Sequence, residues 1–256
     1  PHLVHYNERI KINGLDIPDE EFAALIQLLK TEEEKKKYSL SVFQKMTAMA
    51  FLYFYEQNCD MVVLEVGMGG AWDATNIIPA PAVAVMMPVG LEHTKQLGNT
   101  VSEIALVKSG IIKSGCFVVA AFQGSEALDV IRKKAAILGA PLTITEPEKG
   151  RIEKADYFGQ TISYKDFGAF RLSLAGSYQY YNALAVLETI RVLRKQGYDI
   201  SDEALRQGLE TVCWPARFEF VRTDPPFFID GAHNPHGVEA LEKNLTDYFG
   251  EKKLLL

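Results

Sequence analysis

The stretch from Met61 to Pro88 reads MVVLEVGMGGAWDATNIIPAPAVAVMMP. It opens on four apolar residues, Met61 to Leu64, a pattern typical of a parallel strand buried on both faces. The run ends at Glu65, and in open α/β sheets ligands bind outside the carboxyl ends of the strands. The glycines that follow allow a tight turn and a close approach to a ligand. The pattern predicts a strand and a binding turn. A strand end capped by a solvated glutamate is the competing interpretation, because a glycine cluster alone is a weak signal.

A second apolar run, Ala82 to Met87, predicts the next strand, and it leads into VGLEHT, which contains His93. Two strand ends therefore offer a carboxylate and an imidazole. Brought together at one crevice, Glu65 and His93 can bind a divalent cation or exchange a proton. The alternative for His93 is a hydrogen-bonded structural residue. Lys108, inside a helix predicted over 101–112, reads by position as a surface charge.

Strands and helices alternate along most of the chain, which is the pattern of an α/β protein with a doubly wound, mostly parallel sheet. Further strands are predicted at 116–121 and 142–144, and helices at 19–29, 42–57 (capped by Ser41), 126–138, 180–196 and 202–212. Between residues 150 and 174, short runs at 157–159, 161–164 and 170–174 predict a small antiparallel sheet. Asn13-Gly14 predicts a hairpin near the N-terminus.

Prolines mark a candidate domain boundary. We expect a central domain over 1–214, a linker over 215–226, and the beginning of a second α/β domain over 227–256. That second domain would open with a buried strand at 227–229 and continue with a helix over 237–249. The chain starts on Pro1 rather than methionine and stops on three leucines, so both ends are expected to be cuts through a longer chain.

Composition excludes several classes of function. The chain has 256 residues, of which 48% are hydrophobic and 23% charged, and no apolar run is long enough to cross a bilayer. A formal net charge of -6 argues against a general binder of nucleic acid or anionic membranes. Cys59, Cys116 and Cys213 are odd in number and widely spaced, which predicts reduced thiols that fill the core of a cytoplasmic protein. The N-terminal residues show no basic region followed by an apolar run, so no export signal is expected.

Seven strings in this sequence resemble, in order and at similar spacing, the folylpolyglutamate synthase and dihydrofolate synthase branch of the Mur ligases. They are PHLVHYNERIKING, LEVGMGGAWDATN, GLEHTKQLGNT, VKSGIIKSG, LAGSYQYYNALA, WPARFEF and IDGAHNP. Each string alone is weak, but seven in order are specific. The resemblance spans essentially the whole chain and implies the Mur ligase central ATPase-type domain, followed by the start of a C-terminal Rossmann-like glutamate ligase domain.

The resemblance implies ATP-dependent ligation of L-glutamate to folate, or to dihydropteroate, through an acyl phosphate. ATP and Mg²⁺ are the implied cofactors, with a monovalent cation such as K⁺ as a further candidate. No nucleic-acid or membrane partner is implied, and a monomer is expected.

The resemblance also assigns roles to individual residues. Glu65 and His93 align with Mg²⁺ ligands, and Lys108 aligns with a lysine that is carbamylated in the family, where it supports catalysis and the metal. The positions that align with ATP contacts are Asn182, Arg217 and Asp230, with His233 beside them. The positions that align with the pterin-binding segments are Ser41, Val42, Phe43, Gln44, Trp72, Asp73 and Ala74.

Several departures from the family pattern leave alternatives open. The phosphate-binding glycine loop and a metal-binding serine are expected upstream of Pro1, so the fragment itself is expected to be inactive. The family usually has Glu at Gln44, Arg at Ala71, Asp at Glu92 and Glu at Val107. A non-catalytic relative that binds folate or nucleotide is therefore one alternative. A Mur-type ligase for another carboxylate and a simple sugar- or nucleotide-binding module are the others.

Overall fold

The structure is a computed structural model that describes residues 2–233, 235–250, 252–253 and 255. The chain divides into two compact units, Pro1–Pro79 and Ala80–Leu256. In the described residues, no helix is both long enough and apolar enough to cross a membrane.

Two helices and a hairpin build the first unit. The hairpin pairs β1 (Lys11–Ile12) with β2 (Leu15–Asp16), and its turn places Asn13 and Gly14 at positive φ, as the Asn-Gly pair predicts. Helices α1 (Asp19–Lys36) and α2 (Val42–Glu56) follow. Their apolar faces meet in one core, made of Ile10, Ile17, Leu25, Leu29, Met46, Met49 and Tyr53. The predicted helices are confirmed, and the charged run at the end of α1 is helical.

The apolar run Met61–Leu64 does not form the predicted strand. Residues 61–66 have no regular secondary structure, and Val63 is 93% exposed. A strand exists only where a neighbouring strand completes its backbone hydrogen bonds, and none of the sheets among the described residues includes this segment. The prediction of a buried strand here is wrong, because an apolar pattern specifies a preference for burial but does not supply the partner.

A parallel sheet lies in the second unit. Its strands are β3 (Val83–Met86), β4 (Phe117–Ala120) and β5 (Leu142–Ile144), paired in that order. The connections contain α3 (Thr94–Leu97), α4 (Val101–Lys108) and α5 (Ser125–Leu138). The core includes Ala84, Met86, Val118, Ala120, Leu128 and Ile131. The α/β fold with a parallel sheet is confirmed.

The predicted antiparallel sheet is also present. Strands β6 (Gly150–Asp156), β7 (Gly159–Tyr164) and β8 (Ala169–Leu172) pair in sequence order, while the predicted strand at 157–159 is mostly the β6–β7 turn. Helices α6 (Ser177–Lys195) and α7 (Asp202–Thr211) follow. Inward residues of β7, β8 and α6 share one core, formed by Ile162, Tyr164, Phe170, Leu172, Leu184 and Leu187.

A second hairpin and a helix complete the described chain. Strand β9 (Glu219–Thr223) pairs antiparallel with β10 (Pro226–Ile229), and α8 (Pro235–Phe249) follows. The predicted burial of 227–229 is wrong: Phe227 and Ile229 are 49% and 41% exposed, whereas Phe228 between them packs against other aromatic rings, so one face of β10 stays uncovered. The stretch expected to be a linker contains β9. The assignment of domain boundaries stays a prediction.

The three cysteines differ in burial. Cys116 is buried and Cys59 is half-buried, but Cys213 is exposed, and all three are free thiols. The prediction that all three fill the core is wrong for Cys213, since it follows the end of α7 in an exposed connection.

Candidate functional site

The glycine-rich turn of the first unit is organised by Asp73. Its carboxylate accepts hydrogen bonds from the backbone N–H of Met68 at 2.9 Å and from the N–H and hydroxyl of Thr75 at 3.0 and 2.6 Å. Gly69 and Gly70 adopt positive φ, which favours glycine at both positions. Asp73 therefore shapes the turn, and the Trp72 side chain beside it is 82% exposed and available to a ligand.

The segment Ser41–Gln44 begins α2 with a reciprocal cap. The Ser41 hydroxyl accepts from the Gln44 N–H at 3.3 Å, and the Gln44 side-chain oxygen accepts from the Ser41 N–H at 2.8 Å. Glutamine and glutamate both serve in this capping box, so the departure at Gln44 preserves the local structure. Val42 is exposed on the first turn.

The Phe43 ring connects the two segments that align with pterin-binding positions. It lies so close to Gly67 that a Cβ atom there would be 2.4 Å from the ring. Phe43 thus packs on the backbone of the glycine-rich turn that carries Trp72 and Ala74. The structure brings these two sequence-distant segments together within one unit.

Glu65 is exposed in the unpaired segment before that turn. It belongs to the first unit and His93 to the second, so their convergence on one cation stays a prediction. Across the described ranges, no three His, Cys, Asp or Glu side chains form a group that holds a metal by itself. A carboxylate such as that of Glu65 is a ligand that Mg²⁺ prefers, and the ion usually keeps several waters and substrate phosphates as further ligands.

His93 occupies a left-handed conformation with φ of 47° and immediately precedes α3. Its side chain is exposed, in a loop that follows the carboxyl end of β3. The predicted location at a strand end is confirmed. The predicted role as a metal ligand stays a prediction.

Lys108 ends α4, and its ammonium lies 2.7 Å from the Glu92 carboxylate. The Lys108 side chain is about three-quarters covered, so it is more than a solvated surface charge. Glu92, one of the positions that departs from the pattern expected from the resemblance, therefore forms an ion pair with Lys108.

Arg217, Asp230 and His233 come together in one turn region of the second unit. The Asp230 carboxylate accepts from the Phe218 N–H and the Ala232 N–H, both at 2.8 Å. The His233 Nδ1 lies 2.7 Å from the Gly231 carbonyl oxygen. The Arg217 guanidinium lies against Gly231, where a Cβ atom would be only 2.6 Å from Nη1.

The N-terminal part of α6 borders this cluster. Burial raises the pKa of the Tyr178 hydroxyl, and the negative charge of Asp230 raises it further. Asn182, one turn along α6, donates from its amide nitrogen to the Gln179 side-chain oxygen at 2.9 Å.

Gln179 was missed by sequence reasoning, although its position three residues before Asn182 places the two amides on the same helix face. The side-chain amides of Gln179 and Asn182 therefore hold each other in a fixed orientation, and together they still offer a hydrogen-bond donor and an acceptor.

Residues 19–190 match the model of the Mur ligase middle domain. With the parallel sheet and the clustered Arg, Asp and His, this shows the class of protein: the chain belongs to the Mur ligase family.

Within that class, the similar proteins are folate enzymes. The chain is 38% identical to the dihydrofolate synthase/folylpolyglutamate synthase of Bacillus subtilis over 265 residues, which cover 99% of the chain and 61% of that protein. It is 34% identical to the folylpolyglutamate synthase of Lacticaseibacillus casei, covering 98% of the chain and 61% of that protein.

A solved structure of an FPGS–AMPPCP–folate complex has the same fold. It superposes with a TM-score of 0.89 at 33% identity, covering 98% of this chain and 64% of that one. The chain therefore spans about three-fifths of the length of the relatives it matches.

Proposed function

We propose that the protein containing this chain is an ATP-dependent ligase that adds L-glutamate to folate, and also to dihydropteroate. The observation that carries the proposal is the similarity along 98% of the chain to a protein solved with AMPPCP and folate together. The similarity to a bifunctional dihydrofolate and folylpolyglutamate synthase supports the second substrate.

The reaction has two chemical steps. A carboxylate oxygen of the folate attacks the γ-phosphorus of ATP, and the bond from that phosphorus to the β-phosphate oxygen breaks. ADP departs, and the folate carboxylate becomes an acyl phosphate. The amine of glutamate then attacks the acyl carbon, phosphate departs, and the nitrogen loses a proton as the amide forms. Both steps need positive groups near phosphate oxygens and a site that excludes water.

The Arg217, Asp230 and His233 cluster supports a nucleotide role. Arginine donates two parallel hydrogen bonds to a phosphate and keeps its charge, and Asp230 offers the same region a hydrogen-bond acceptor. Asn182, oriented by Gln179, adds an amide suited to a base edge.

Two aromatic side chains of the first unit, Phe43 and Trp72, support a flat aromatic ligand. Phe43 is held against Gly67, and Trp72 is free to stack on a ring. Ser41, Gln44 and Asp73 act here by fixing the backbone that presents those rings.

Glu65 and His93 are the proposed holders of Mg²⁺, and a carbamylated Lys108 would add a carboxylate to the same set. Bound there, Mg²⁺ would neutralise phosphate charge. A monovalent cation such as K⁺ is a further proposed cofactor. We also propose a monomeric cytoplasmic enzyme whose central domain ends near residue 214 and whose C-terminal glutamate ligase domain begins at 227.

A non-catalytic relative is the second candidate. The ion pair between Lys108 and Glu92 at 2.7 Å favours it, because this pair engages the amine that carbamylation would modify. The same fold would then bind ATP or folate without turnover.

The test measures phosphate release by the protein at its natural full length, with ATP, saturating Mg²⁺, and either dihydropteroate or tetrahydrofolate. Release that depends on both the pterin and glutamate is the expected result. Binding of ATP and folate without glutamate-dependent release would establish the non-catalytic alternative. Turnover with a different acid, and none with either pterin, would point to a Mur-type ligase of other specificity.

A further inference from the structure

The side chain of Gln123 bridges the carboxyl ends of two neighbouring strands. Its Oε1 accepts from the Val89 N–H at 2.9 Å, in the loop after β3. Its Nε2 donates to the Ala121 carbonyl oxygen at 3.1 Å, directly after β4, and lies 3.5 Å from the Met87 carbonyl oxygen. One amide therefore joins the exit of β3 to the exit of β4.

The bridged loop is the one that delivers His93. Residues 87–92 have no regular secondary structure between β3 and α3, and Val89 lies only four residues before the histidine. Beyond α3, the Glu103 carboxylate accepts from the Asn99 and Thr100 N–H groups and fixes the other flank. Gln123 is thus a long-range anchor at the strand end of this loop, and the ion pair between Glu92 and Lys108 is another contact of the same loop.

We propose that Gln123 is a positioning residue for His93, acting through the Val89 backbone. The inference rests on the proposed function, in which His93 holds Mg²⁺. Metal ligands depend on groups outside the coordination sphere to hold their orientation, and loss of such a group typically costs 10- to 100-fold in metal affinity or activity.

The chemistry of this position favours an amide over other side chains of similar length. Glutamine accepts and donates at once, so it satisfies the Val89 N–H and the Ala121 carbonyl together. Glutamate keeps an acceptor for the Val89 N–H, but its second carboxylate oxygen would face the Met87 and Ala121 carbonyl oxygens and could not donate to them. Methionine keeps the length and loses both hydrogen bonds.

The experiment uses the full-length protein with Gln123→Met and Gln123→Glu. The matched control is Gln207→Met, at an exposed position on α7 of the same unit. The hydrogen-exchange rate of the Val89 amide, measured without metal, reports whether its hydrogen bond to Gln123 is intact. A Mg²⁺ titration of glutamate-dependent phosphate release measures the effect on the Mg²⁺ requirement. His93→Ala is measured in parallel.

Gln123→Met should accelerate Val89 exchange and raise the Mg²⁺ concentration for half-maximal activity by about 10-fold, with a small change at saturating Mg²⁺. Gln123→Glu should give a smaller effect on both, and it decides the question if the methionine variant does not fold. Gln207→Met should match the parent protein.

Two results would overturn the inference while leaving the metal role of His93 intact. The first is unchanged hydrogen exchange of the Val89 amide in the Gln123 variants. The second is an unchanged Mg²⁺ requirement in those variants. Each counts against the inference when His93→Ala still raises the Mg²⁺ requirement. If His93→Ala leaves the Mg²⁺ requirement unchanged, the metal role of His93 is wrong and the inference fails with it.

Discussion

Replacing Glu188 with alanine should destabilise the second unit strongly. Glu188 lies on α6 with 1% of its side chain exposed, next to three polar groups. It accepts from the Tyr164 hydroxyl at 2.8 Å and from the Lys165 ammonium at 2.7 Å, and lies 3.3 Å from the Arg191 Nε. Glu188→Ala therefore leaves a buried hydroxyl donor and two cations without their shared partner.

The magnitude follows from what the neighbours retain. Removing one member of a buried ion pair typically costs about 3–5 kcal/mol. Lys165 keeps a second carboxylate, Glu146, and Arg191 keeps Asp166, so neither cation is left isolated. We therefore expect the low end of that range, about 3 kcal/mol in the free energy of unfolding. Glu188→Gln keeps an acceptor for Tyr164 and should cost less.

Urea unfolding followed by tryptophan fluorescence measures this cost. A Trp72→Phe background leaves Trp214 as the reporter, in the same unit as Glu188. Glu210→Ala, at an exposed position of α7, is the matched control and should stay within about 0.5 kcal/mol of the background. A Glu188→Ala cost below about 1 kcal/mol would refute the reasoning, because the cluster would then be no more than a surface ion pair.

Three further outcomes are expected. Gly67→Ala should displace the Phe43 ring, which should cost about 1–3 kcal/mol in the free energy of unfolding and weaken pteroate binding measured by calorimetry. Adding Phe43→Leu to the same chain should recover part of that stability. If the effects of the two substitutions are purely additive, the contact between Phe43 and Gly67 is contradicted. The backbone N–H groups of Leu3, His5 and Val4 lower the pKa of Glu8 to about 2 from an ordinary value of 4.5. Its stabilisation is therefore complete above pH 4.5 and lost as the pH falls toward 2, so urea midpoints should fall less steeply there in Glu8→Gln than in the parent protein. Arg217→Lys should raise the KM for ATP on the order of 10-fold, because lysine keeps the charge and loses the two-pronged hydrogen bond; an unchanged KM would remove Arg217 from the nucleotide site.

Local patterns in the sequence predicted most elements of the fold. Ser41 predicts the start of α2, Asn13-Gly14 predicts the hairpin turn, and the apolar run at 142–144 matches β5. The cap and the turn succeed because they are governed by residues adjacent in the chain, and β5 forms because β4 completes its backbone hydrogen bonds. The run Met61–Leu64 failed for the opposite reason, since a strand also needs a partner that the run itself does not encode.

The candidate site likewise combines residues that the sequence predicts with contacts that it does not predict. The sequence by itself determined which residue types are available in the loops and turns, including Glu65, His93 and the Arg217 to His233 group. Only the tertiary structure decided that Phe43 packs on Gly67, that Glu92 reaches Lys108, and that Gln123 spans two strand exits. Each of these contacts joins residues far apart in the chain, and folding alone sets the distance between such groups.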